Sequence, residues 1–152
     1  MPKTKFQDII FSIMMVIVMV YAMVCYNIAF AFNQMSNQVF LLALNELPIM
    51  ALIAFAIEFL FVGNLTKKIA FKNFDVKNTN KVILTVFISC LTVAFMCPIM
   101  SMIATLLFNF NGIENIIATW MQTVVKNFPM ALFFQLFVAG PLVRFIFSKI
   151  FK

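Results

Sequence analysis

The chain has 152 residues, of which 64% are hydrophobic and only 11% charged, with eleven Lys and Arg against five Asp and Glu and no histidine. This composition belongs to an integral membrane protein of one domain, and the missing histidine removes bis-His haem ligation, His-based zinc sites and His general bases together. The excess of positive charge sits at the ends of apolar runs rather than in a stretch interleaved with aromatics, which argues against nucleic acid as a partner.

The first apolar run, Ile9 to Phe32, follows Lys3 and Lys5. Ala29-Phe30-Ala31 imitates a signal-peptidase site, but the apolar stretch before it is longer than the roughly 7–15 residues of a signal h-region, so it is read as a retained helix. Asn27, near its outer end, is expected to hydrogen-bond to a neighbouring helix, with a ligand contact as the alternative. The connection Asn33 to Gln38 carries no charge. The second run, Val39 to Val62, contains Asn45-Glu46-Leu47-Pro48 and, later, Glu58. A carboxylate in such a run costs a few kcal/mol to insert even on mild scales and therefore needs a partner, a proton or a purpose.

Gly63 to Asn80 is polar and lysine-rich and divides the chain in two: a first repeat over 1–72, a linker over 73–80 and a second repeat over 81–152. The third run, Val82 to Phe108, contains Pro98, and the connection Asn109 to Asn115 holds Glu114 alone among charged residues. The fourth, Ile116 to Val138, extends towards residue 147 and carries Thr119, Gln122, Thr123 and Lys126 at three- and four-residue spacing, so that these are expected on one face lining a cavity. Each run meets the roughly 20 residues needed to cross about 30 Å of hydrocarbon. Ten of the eleven basic residues fall on one side of this arrangement, which the positive-inside rule makes cytoplasmic, with both termini on that side.

The halves look alike. Met23-Val24-Cys25 parallels Phe95-Met96-Cys97, Leu47-Pro48 parallels Phe128-Pro129, and Gly63 parallels Gly140, which sets Glu46 and Glu58 at positions like those of Asn127 and Gln135. The expected fold is all-α: a polytopic membrane bundle of four transmembrane helices made of two parallel two-helix repeats related by an axis along the membrane normal. Small and hydroxylated residues mark the expected seams, at Ala51, Ala54 and Glu58, at Ala94, Ser101 and Thr105, and at Thr119 and Thr123. Pro48, Pro98 and Pro129 each remove a backbone hydrogen bond and are expected to kink their helices.

Ser101-Met102-Ile103-Ala104-Thr105-Leu106, Trp120, Asn127-Phe128-Pro129 and Ala139-Gly140-Pro141-Leu142-Val143-Arg144 lie within a segment, Ile88 to Phe147, that resembles the bacterial membrane family known as domain of unknown function 2798. The first half looks like a second, more divergent copy that lacks the Pro-Leu-Val-Arg ending. The resemblance implies a two-helix repeat unit in a bacterial plasma (inner) membrane, and it brings no catalytic or binding residues with it.

Taken at face value, the run limits place Glu46 roughly 10 Å and Lys126 roughly 15 Å below the outer boundary, and Glu58 roughly 6 Å above the inner one. Glu46 and Lys126 are therefore close enough in depth to pair. Two readings stay open: an ion pair that fixes helix register, or a site at which Glu46, with or without Lys126, binds a cation or exchanges a proton. Asn27, Asn45, Gln122, Thr119, Thr123, Asn127 and Gln135 are the candidate cavity-lining residues, and Glu58 is a second candidate for coupling. Met15, Met19 and Met23, with Met96 and Met100 around Cys97, have the softness Cu(I) favours, but they read as apolar filler, as Cys25, Cys90 and Cys97 read as small buried residues. No metal site and no cofactor is expected. The absence of a phosphate loop, a Cys-x-x-Cys pair or a nucleophile with its base points away from an enzyme. The favoured reading is a small proton-coupled exporter of a small or cationic compound, functioning as a homodimer in the lipid bilayer. The alternative is a non-transporting accessory, immunity or regulatory membrane protein that binds a peptide or a membrane complex.

Overall fold

The computed structural model describes residues 5–74, 79–108 and 112–151, with the side chain of Lys81 left out. The described residues are helical nearly throughout, and four helices are long and apolar enough to cross a membrane. The first is α1 (Lys5–Ala31). The second runs without interruption as α2 (Asn37–Ile57), a π-helical turn (Glu58–Val62) and α3 (Gly63–Asn73). The third is α4 (Lys81–Phe108). The fourth is a 3-10 turn (Ile113–Asn115), α5 (Ile116–Phe134), a second π-helical turn (Gln135–Ala139) and α6 (Gly140–Ile150).

The expected apolar limits hold to within a few residues, but the polar stretch after Val62 is not a linker from Gly63 onwards. The helix continues to Asn73, 37 residues from its start at Asn37, and at 1.5 Å per residue it is about 55 Å long, more than the hydrocarbon needs. An apolar run ends where the lipid ends, whereas a helix ends where its hydrogen bonds do, and nothing between Gly63 and Asn73 breaks them. The short connections are made by residues suited to them: Asn33 takes a left-handed conformation at φ 52° just after α1, and Gly112, at φ 92° and ψ 155°, precedes the 3-10 turn. Helices run through Pro48, Pro98 and Pro129. Two π-turns lie further along the second and fourth helices.

Most of the buried residues follow a four-residue rhythm. On α1 these are Val16, Val20, Val24 and Ile28, with Cys25 beside the line, and on α4 Ser89, Val93, Cys97, Ser101 and Thr105, with Leu84 before it. On the second helix they are Met50, Ala54, Val62, Thr66 and Ala70, after Val39 and Ala43, and on the fourth Asn127, Ala131, Gln135, Ala139, Val143 and Phe147, with Gly140 beside the line. On a helix of 3.6 residues per turn each four-residue step drifts by about 40°, so the line from Met50 to Ala70 would wind about 200° around an undistorted helix. A π-turn accommodates one residue more than an α-helical turn.

These lines also fix how the halves correspond. Val16 matches Val93, Val24 Ser101, Ile28 Thr105, Ala54 Ala131, Thr66 Val143 and Ala70 Phe147, all at one offset of 77 residues, and the π-turns open at Glu58 and Gln135 with that same offset. The correspondence of Glu58 with Gln135 and of Gly63 with Gly140 therefore stands. That of Glu46 with Asn127 does not: Asn127 occupies the place of Met50, one turn further on, and Cys97 occupies the place of Val20 rather than Cys25. Prolines and a cysteine were misleading landmarks because buried position, not residue type, is what the repeat retains. The expected seam holds at Ala54, Ser101 and Thr105, while Ala94 is exposed, since it stands one residue off the line through Val93 and Cys97.

The chain forms two compact units, Met1–Phe59 with Phe137–Lys152, and Leu60–Leu136, and it passes from one to the other inside the π-turns. In the first unit α2 and α6 pack on α1, with Phe11 and Phe147 edge to face at 5.4 Å. In the second, α3 and α5 pack on α4, with Phe74 and Phe87 edge to face at 4.8 Å. Each unit is thus one repeat's helical hairpin completed by the tail of the other repeat's second helix.

Candidate functional site

The hydroxyl groups along the buried lines are largely satisfied by their own helices. Thr105 Oγ1 donates to the Ser101 carbonyl at 2.8 Å, Thr123 Oγ1 to Thr119 at 2.7 Å and Thr66 Oγ1 to Gly63 at 3.2 Å. Such back-bonding lets a hydroxyl sit in an apolar environment without a partner helix, and it leaves the oxygen lone pairs as acceptors. Asn27 behaves alike: its amide nitrogen donates to Met23 in its own helix at 3.0 Å, not to a neighbouring helix as expected.

Asn127 differs from these. It is 4% exposed, and its Oδ1 accepts no hydrogen bond. Leaving a buried amide oxygen unpaired costs about 1–3 kcal/mol, and the equivalent position in the first repeat carries Met50, which has no such cost. Along the same comparison Val20, Val24 and Ile28 of α1 are replaced in α4 by Cys97, Ser101 and Thr105. The second repeat is therefore polar at these positions where the first is apolar, while at Thr66 and Val143 the reverse holds. Cys97 Sγ and Ser101 Oγ lie 4.0 Å apart along this line.

In the second unit Trp120 of α5 donates its indole N–H across to the Pro98 carbonyl of α4 at 2.9 Å. Its polar group is thus engaged within the hairpin. Counting 1.5 Å per residue from this contact, Asn127 lies about 10 Å further along α5, and Thr119 and Thr123 lie between one residue before Trp120 and three after it.

The remaining candidates divide by exposure. Gln135 is buried at the first position of its π-turn, and Glu58 is half-buried at the first position of the other. Glu46 on α2 is half-buried in the first unit, and Lys126, Thr119 and Thr123 on α5 are half-buried in the second. Asn45 and Gln122 are exposed. Gln122 stands about 100° around the helix from Thr123 and so leaves the line through Thr119, Thr123 and Asn127. The first unit also has an open groove of about 230 Å³, lined by Ile13, Ile17, Pro48, Leu52 and Phe55 among others, with no charged group in its walls. Sequence reasoning did not single out the buried Ser89 and Thr66, nor the π-turns. The signal for the π-turns was present in the shared spacing of Glu58 to Gly63 and Gln135 to Gly140.

No solved structure matches this chain. A relative in Bacillus subtilis (strain 168), the uncharacterized protein YybC, is 35% identical over 157 residues, an alignment that covers 100% of this chain and 96% of the relative. The model of the family described as Domain of unknown function (DUF2798) matches residues 4–74 and again 80–151, two copies in register with the repeat traced by the buried residues. The chain therefore belongs to the DUF2798 family, as a tandem pair of its two-helix units.

Proposed function

We propose that the protein is a small multi-pass transporter of the bacterial plasma membrane, with both ends in the cytoplasm, which exports small cationic compounds in exchange for protons. The observation that carries this reading is the buried, unpaired Oδ1 of Asn127. An acceptor with no donor inside the protein suits a donor that arrives from outside it. Thr105 and Thr123, whose hydrogens are held by their own backbone, add further acceptors on the packed helices α4 and α5. Walls that accept hydrogen bonds favour a solute that carries N–H groups and positive charge. Exchange against protons needs a group that takes and releases one within the membrane, and Glu46 and Glu58 are the carboxylates of the apolar spans that could do that work. The family resemblance is neutral on this point. A second copy of the chain is the expected partner, since so few helices enclose little space by themselves.

The test is charge movement across proteoliposomes after a pH step, in the presence of a panel of quaternary ammonium solutes. Wild type is expected to give a current that Asn127→Met reduces at least tenfold and that Glu46→Gln or Glu58→Gln abolishes. Folded protein giving no current above that of empty liposomes would overturn the proposal and favour a non-transporting accessory or regulatory subunit.

A further inference from the structure

We propose that the tails of the two long helices each hold an anionic phospholipid headgroup, one at Lys67 and Lys72 of α3 and one at Arg144 and Lys149 of α6. The four side chains are exposed, and they fall in pairs at the 77-residue offset that relates the buried residues of the repeats. Between Gly63–Asn73 and Gly140–Ile150 much else has changed: Thr66 stands against Val143, Lys68 against Phe145, Phe71 against Ser148 and Asn73 against Ile150. Two basic positions kept while a third, Lys68 against Phe145, is lost point to a shared ligand, because a topology signal needs basic residues near the end of a helix but not at fixed positions.

The chemistry of each tail specifies that ligand. Neither helix contains an Asp or Glu. Both basic pairs lie beyond a π-turn at the end of an apolar span, at the depth where headgroup phosphates begin. Exposed apolar side chains accompany the charges, Phe71 on α3 and Phe145, Ile146 and Ile150 on α6, which gives the acyl chains of a bound lipid something to lie against. Lys149 Nζ rests 4.6 Å from the centre of the Phe145 ring, a cation–π contact that steadies the ammonium on the helix surface. A soluble phosphate would use the charges and leave the apolar side chains idle. An anionic phospholipid uses both.

Near an anionic surface each Lys or Arg contributes about fivefold to affinity, so each pair contributes about 25-fold. The experiment counts the lipids that stay bound to the full chain in native mass spectrometry from detergent, with phosphatidylglycerol and phosphatidylcholine of the same acyl chains as probes. Wild type is expected to retain two phosphatidylglycerols, the double variants Lys67→Gln/Lys72→Gln and Arg144→Gln/Lys149→Gln one each, and the quadruple variant none, with phosphatidylcholine retained weakly and equally by all. The single variants Lys72→Gln and Lys149→Gln, each expected to weaken one site about fivefold, provide the same reading if the quadruple variant fails to fold. Equal retention of the two lipids by wild type, or an unchanged phosphatidylglycerol count in the double variants, would overturn the proposal.

Discussion

Asn127 and Met50 are a natural experiment within one chain, the same position occupied by a polar and by an apolar residue. Because the amide oxygen of Asn127 is buried without a donor, Asn127→Met is expected to stabilise the protein by about 1–3 kcal/mol, read as a higher midpoint of thermal unfolding in detergent. A lower midpoint would mean that the amide is doing structural work. Gly112 is the opposite case. Its φ of 92° with ψ of 155° lies in a region that only glycine occupies readily, and no atom lies within 4 Å of where a Cβ would stand. Gly112→Ala should therefore lose about 1–3 kcal/mol through backbone strain alone, again seen in the unfolding midpoint, without any packing defect. Individual residues were only partly legible in the sequence. That Asn127 and Gln135 are polar and in a membrane helix was plain, and both are buried. Asn45 and Gln122 looked the same on paper and are exposed, because a polar residue in an apolar run reveals its depth but not its face.

The four spans were legible as elements because hydrocarbon thickness sets a length that composition reports directly. Two features of the elements were not. Lys67, Lys68 and Lys72 made a helical tail look like a linker, though lysine is a good helix former and only the lipid, not the helix, ends there. The π-turns were marked only by a polar residue five positions before a glycine, Glu58 before Gly63 and Gln135 before Gly140, a spacing that does not by itself separate a π-turn from an α-turn. Each π-turn takes in one residue more than an α-helical turn. Deleting Leu60 removes that residue and closes the wide turn to an ordinary one, so the helix beyond it keeps its faces. The expected result is a retained monodisperse peak in size-exclusion chromatography, as for deletion of Gln34, exposed in the turn after α1, whereas deleting Ala43, buried in regular α-helix, turns the residues before it by about 100° and should abolish the peak. Loss of the peak in the Leu60 deletion would show that the wide turn itself is required.

At the scale of the whole molecule the distribution of charge predicts an orientation by the positive-inside rule. In a variant with Cys25, Cys90 and Cys97 replaced by Ala, a cysteine at Glu114 is expected to react with an impermeant maleimide added to intact cells, and one at Lys72 only after the membrane is opened. The reverse pattern would invert the whole assignment of sides.

The make-up of the two compact units bears on how such a chain could arise. Neither repeat closes upon itself: the hairpin of the first is finished by α6 from the second, and the hairpin of the second by α3 from the first. An ancestor of half this length would have lacked the piece that completes it and could have obtained it only from another molecule, by reciprocal exchange of tails. Fusing two such genes would then have converted an obligatory partnership into a covalent one, and it would have freed the two halves to differ at matched buried positions such as Met50 and Asn127.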